Sequence, residues 1–88
     1  MESLGRKFPN RLRKHRRLAK LKQQEVARIL EVSQGRVSAW ERGEVLPSMV
    51  NFLKLSILYK TLCNELYFEL IKEYQQEFES RLISNNDK

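Results

Sequence analysis

The stretch that decides the fold is QQEVARILEVSQGRVSAWERG, Gln23 to Gly43. It reads as two short helices joined by a tight turn. In Gln23 to Leu30 the residues Val26, Ala27 and Leu30 fall at i, i+1 and i+4, one apolar stripe on the helical period. In Gln34 to Arg42, Val37 and Trp40 at i, i+3 make the inner face and leave Gln34, Arg36, Ser38 and Arg42 for solvent. Glu31-Val32-Ser33 between them has room only for a turn. The Ser33 hydroxyl is placed to cap the second helix, and Gly43 to end it in the left-handed conformation. Helices this short do not stand alone in water, so flanking segments must cover the Val/Leu/Trp face.

A tight helix pair with small Ala27 against β-branched Val37, and polar residues outside the second helix, points to a helix-turn-helix. Here the residues become specific. Gln-x-Glu-Val-Ala opening one helix and Val-Ser-x-Trp-Glu-Arg-Gly closing the next resemble the phage repressor/Cro (Xre-type) family, over roughly Leu12 to Leu66. The resemblance implies an all-α, five-helix, repressor-like DNA-binding domain; the helical period that runs on past its end predicts the fifth helix extended at the C-terminus. It also implies a sequence-specific double-stranded DNA-binding transcriptional regulator, with a repressor as the leading reading, in a bacterial or phage-encoded, nucleoid-associated setting; the single Cys63, which cannot form an internal disulfide, fits a reducing cytoplasm.

An α-helix fits the major groove, and the N-terminal residues of the recognition helix meet base edges. Gln34 is the leading base-reading candidate, since its amide matches adenine N6 and N7. Arg36 suits guanine O6 and N7, or a phosphate. Ser38 is short enough to bond base or phosphate, and Ala39 can touch a thymine methyl. The resemblance places Gln23 on a phosphate, bracing Gln34, with Lys22 and Arg42 on the backbone to either side. It also pairs Arg16 with Glu41, a structural ion pair tying the first helix to the third. Two positions within this helix pair depart from the family pattern. Gly35 stands where relatives carry a long polar side chain, and Glu31 where they commonly carry glycine.

The 88 residues suit one small domain. Residues 1–42 hold twelve Lys and Arg against four Asp and Glu, a net of +8; residues 43–88 hold five against seven, a net of −2. A basic half beside a mildly acidic one predicts one face for a polyanion. Met1 to Pro9 lacks a period and contains Gly5 and Pro9, so residues 1–9 read as a flexible basic arm. Asn10 is a helix-capping candidate before Arg11 to Ala19, with Leu12, His15, Arg16 and Ala19 on one stripe. Within that dense positive charge, Arg13 and Lys14 are the candidates for phosphate. His15 reads as a surface residue. No second His exists and the single Cys63 is distant and set among apolar neighbours, so no metal or other cofactor is expected and Cys63 reads as buried packing.

Pro47 and Ser48 start a fourth helix whose Met49, Phe52, Leu53, Leu55, Ser56 and Tyr59 include the period that closes the core. Lys60 stands where the family commonly has glycine. The domain then spans 10–68. Leu66, Leu70, Tyr74, Phe78 and Leu82 recur at i+4, joined by Tyr67 and Ile71, which predicts one long helix from about Leu62 to Ile83. Residues 69–83 form a helical extension and 84–88 a disordered tail. An apolar stripe so far past a finished core needs a partner, so a homodimer through the Tyr67–Leu82 stripe is expected. The alternative is a protein-interaction module, such as an antitoxin or co-regulator docking a partner through that helix. No apolar run approaches the length of a membrane span. No nucleophile–base pair or phosphate-cradling glycine loop is present, which argues against an enzyme.

Overall fold

The computed structural model describes residues 7–86. Among them are six helices and no strand. The first, α1, covers Leu12–Leu18. The central pair is α2 (Gln23–Leu30) and α3 (Gln34–Glu41), followed by α4 (Met49–Leu58). The chain closes with a four-residue α5 (Cys63–Leu66) and a 19-residue α6 (Phe68–Asn86). No helix among the described residues is long and apolar enough to cross a membrane.

The core is the one the helical periods point to. Val26, Ala27 and Leu30 of α2 and Val37 and Trp40 of α3 are buried together with Leu12, Leu55, Tyr59, Leu66, Tyr67 and Leu70. Trp40 is only 2% exposed, so its indole is packing and not a platform for bases. Two serines start helices: the Ser33 hydroxyl accepts from the Arg36 N–H, and that of Ser48 from the Asn51 N–H, both at 3.1 Å.

The first four helices all stop in the same way. At each end one residue enters the left-handed region, its N–H reaches back three residues and the next N–H reaches back five. Gly43 does this after α3, at φ 78°. Lys20, Glu31 and Lys60 do it without being glycine, at φ 62°, 60° and 54°. The turn geometry of the family is therefore kept at Glu31 and Lys60, with side chains where glycine is commoner.

Several expectations are corrected. The long helix from Leu62 to Ile83 is broken at Tyr67, whose φ of −126° and ψ of 41° leave the helical ladder. The break has a packing cause: the Tyr67 ring is buried edge-on to Phe52, with centroids 5.6 Å apart. The Leu66 carbonyl, freed from the ladder, accepts the Arg11 N–H at 2.8 Å. The fifth helix is thus two, and α6 runs three residues past 83, to Asn86, where a disordered tail is expected; residues 87 and 88 lie outside the described residues. The arm is not loose throughout. Residues 1–6 lie outside the described residues, but Phe8 packs on the core and donates its N–H to the Gly43 carbonyl at 2.8 Å.

Smaller differences concern single side chains. Met49 and Leu53 are exposed, as are Val50 and Ile57, because α4 turns Leu55 and Tyr59 inward instead. Cys63 is half-buried. Ala19 is exposed. His15 is 13% exposed in its side chain and its Nε2 lies 3.0 Å from Glu65, which covers it.

Candidate nucleic-acid interface

Gln34, Ser38 and Arg42 follow one another at i+4 and so stand in one row on the outer side of α3. Gly35 and Ala39 form a second row beside it. The middle of the outer face therefore carries only small side chains, with the longer Gln34, Arg42 and Arg36 around it. Gly35 has open space beyond it: an added Cβ would meet only the Ser33 hydroxyl, at 4.0 Å. A shallow face of this kind lets the helix backbone come near whatever it docks against.

The N-terminal end of the row is braced from the core outward. Glu41 is 1% exposed in its side chain and takes Arg16 on both oxygens, Nε to Oε2 at 2.6 Å and Nη2 to Oε1 at 3.2 Å. The third nitrogen of Arg16 donates to the Leu21 carbonyl at 2.9 Å, holding the α1–α2 turn. Burial alone raises the Glu41 pKa, but the hydrogen bonds from Arg16 and Gln23 and the Arg16 charge outweigh it and hold the carboxyl below its usual range. Gln23 donates its Nε2 to Glu41 at 2.9 Å and accepts Gln34 Nε2 on its own carbonyl oxygen at 3.4 Å. A buried carboxylate thus orients Gln23, and Gln23 in turn touches exposed Gln34.

At the other end the arrangement differs from the expectation of a free phosphate ligand. Arg42 lies fork to fork on Glu44, Nε to Oε2 at 2.8 Å and Nη2 to Oε1 at 3.0 Å, while its Nη1 donates to the Ser38 hydroxyl. The hydrogen bond from Arg42 is the main reason that the Glu44 carboxyl sits below its usual range. Lys7 Nζ approaches the same carboxylate, at 3.7 Å.

The remaining sequence candidates fall around this face. Lys22 is exposed and its N–H is received by Glu25 at 2.8 Å, at the start of α2. Arg36 is exposed; Ala39 is half-buried and shares a hollow with Ser33, Arg36, Ser48 and Asn51. Arg13 is half exposed and its Nε lies 3.3 Å from Glu41, so part of its charge is directed inward; Lys14 is exposed.

Arg11 carries a connection that the sequence reading did not single out. Its guanidinium meets Glu65 at 2.8 Å and Glu69 at 2.7 Å, and lies 4.6 Å from the centroid of the Phe68 ring. Together with His15 on Glu65, it fastens α1 to the α5–α6 junction. These pairs span fifty positions or more, and no local pattern announces them; the uneven placement of acids in the second half is the one available signal.

A family model described as Helix-turn-helix matches residues 12–66. No curated protein and no solved structure matches the chain. The matched span runs from the first buried leucine, through the α2–α3 pair and its outer row, to the last residue of α5. With that geometry and that match, the chain belongs to the Xre/Cro-like helix-turn-helix family and is a DNA-binding helix-turn-helix regulator.

Proposed function

We propose that the protein is a sequence-specific repressor that reads double-stranded DNA through the major groove with α3 and acts as a homodimer in the cytoplasm of a bacterial or phage-infected cell. The observation that carries this reading is the braced row on α3, where the buried Glu41 orients Gln23 and Gln23 meets Gln34. An amide held in this way is pre-organised for bidentate recognition of adenine. Arg36 reads guanine from the edge of the same face, and Ser38 and Ala39 supply a hydroxyl and a methyl between them. Lys22, Gln23, Arg42, Arg13 and Lys14 hold the phosphates. Support for a polyanion partner comes from the charge placement, net +8 over residues 1–42.

The homodimer rests on α6. Tyr67 and Leu70 belong to the domain's own core, so the face left for a partner begins further along, with Tyr74, Phe78 and Leu82. Two copies joined there present two reading helices to half-sites about one duplex turn apart, roughly 34 Å. The same exposed stripe supports the second reading, in which α6 docks a different protein as an antitoxin or co-regulator does.

The test is selection from a randomised duplex library, followed by titration of the enriched and a scrambled site at two salt concentrations. The expected result is a two-fold symmetric site, bound about a thousandfold or more tighter than scrambled duplex. Gln34→Ala and Arg36→Ala then weaken the enriched site by about 1–3 kcal/mol each and leave random duplex nearly unaffected. Equal losses on both duplexes would remove the base-reading roles. No enrichment, with weak and steeply salt-dependent binding throughout, would remove the sequence-specific reading itself.

A further inference from the structure

Glu44 is an acid set against two basic residues, Arg42 and Lys7, one position after the glycine that ends the reading helix. Its backbone is fixed. The Glu44 N–H reaches the Ala39 carbonyl at 3.0 Å, the Gly43 N–H reaches Trp40 at 3.0 Å, and the Gly43 carbonyl is held by Phe8. Its side chain then takes the Nε/Nη2 edge of Arg42 on both oxygens, at 2.8 and 3.0 Å, while Nη1 of the same guanidinium spans back to Ser38. Lys7 is drawn to the same carboxylate.

That edge of a guanidinium is also one that donates bidentately to a phosphate. A carboxylate and a phosphate cannot occupy it together. The contact is therefore more than a surface ion pair of small consequence: it covers the group that would meet the DNA backbone, and it holds Ser38 engaged at the same time.

We propose that Glu44 is a built-in competitor for the DNA backbone, which occupies the phosphate-binding edge of Arg42 in the free protein and must be displaced when duplex binds. This rests on the DNA-reading function above and adds to it a residue that sets affinity and not sequence. Glu44 holds binding down by the same factor on every duplex, because phosphates carry no sequence information.

The experiment compares wild type, Glu44→Gln, Arg42→Ala and the Arg42→Ala/Glu44→Gln double variant, each checked for folding by thermal melting. Random-sequence duplex serves as probe across a salt series, with the enriched site in parallel. Glu44→Gln is expected to tighten both duplexes by about three- to tenfold and to steepen the salt dependence by about one unit of slope. The double variant loses that gain. Without DNA, the Arg42 Nε–H resonance is expected to be protected from exchange in wild type and to lose protection in Glu44→Gln. Unchanged affinity and slope overturn the proposal while leaving the DNA-reading function standing. A gain that persists in the double variant also overturns it, since Glu44 would then act by general repulsion. No duplex binding by any variant overturns both.

Discussion

Arg16 and Glu41 meet across the domain, 25 positions apart, with the carboxylate 1% exposed and both of its oxygens on the guanidinium. This pair joins α1 to α3 at their inner sides and, through Gln23, reaches the exposed amide of Gln34. Breaking a buried pair by removing one partner leaves the other charge uncompensated, at a cost of about 3–5 kcal/mol. Arg16→Ala is therefore expected to lose most of the domain's stability in urea unfolding. A loss under about 1 kcal/mol would mean that the pair positions Gln23 without holding the fold.

The same carboxylate gives a pH dependence of defined sign. Its folded-state pKa lies below its ordinary value of 4.5. The unfolded chain then binds the proton more readily, so the stabilisation is present above about pH 4.5 and is lost as pH falls through the folded value. Glu41→Gln is expected to be less stable than wild type at pH 7, yet to lose less on acidification to pH 3. Denaturant midpoints at the two pH values check this; parallel losses would assign the acid sensitivity to other carboxylates, such as Glu65, held low by hydrogen bonds from His15 and Arg11, and Glu69, held low by Arg11.

How much of this was legible in the sequence depends on range. The α2 bounds follow the stripe Val26, Ala27, Leu30, and the Ser33 cap and Gly43 stop need only local chemistry, so each was readable in place. Tyr67 was not. Its neighbours Leu66, Leu70 and Tyr74, spaced i+4 from one another, continue a helical period, and the period cannot register that the ring turns into Phe52 and breaks the ladder. For the same reason α4 reads as more buried than it is. Met49 and Leu53 satisfy the period, but which side of a largely apolar helix faces inward is decided by α5 and Tyr67, beyond any local window. In the interface, Gln23, Gln34 and Arg42 could be named from the pattern of the family. That Arg42 would be taken up by Glu44 could not, because it turns on the left-handed turn at Gly43 between them.

Two glycines near the reading helix are expected to respond in opposite directions to the same change. Gly43 sits at φ 78°, and a Cβ there would lie 2.5 Å from the Phe8 carbonyl oxygen. Gly43→Ala combines a strained backbone with a collision against main chain that cannot swing away, and should cost about 2 kcal/mol or more. Gly35 is helical, exposed and open, so Gly35→Ala should gain up to about 1 kcal/mol from helix propensity. Thermal melts of the two variants beside wild type decide it, and a stabilised Gly43→Ala would show that the Phe8 contact is dispensable.

Lys20, Glu31 and Lys60 hold left-handed conformations without the freedom of glycine. Each carries a strain of about 1 kcal/mol or more, partly offset because a glycine would lose more entropy on folding. Lys20→Gly, Glu31→Gly and Lys60→Gly are each expected to raise stability by roughly 0.5–1 kcal/mol. The three ends lie on separate turns, so the triple variant should approach the sum. Destabilisation by any one would show that its side chain contributes more than the strain costs.

The end of α6 offers the sharpest test of association. From Tyr74 onward every described side chain is exposed, while Tyr67 and Leu70 are part of the core. A cut after Phe68 would remove Leu70 and damage the domain; a cut after Glu73 spares the core and removes Tyr74, Phe78 and Leu82. The shortened chain is expected to keep nearly the full urea midpoint per monomer, to sediment as a monomer where the full chain is a dimer, and to lose the two-site cooperativity of DNA binding. The full-length double variant Phe78→Lys/Leu82→Lys should do the same, since two lysines on that stripe would face two more across a symmetric contact. If the full chain also sediments as a monomer, with or without DNA, the homodimer is ruled out. The stripe is then the place at which to look for a protein of different sequence.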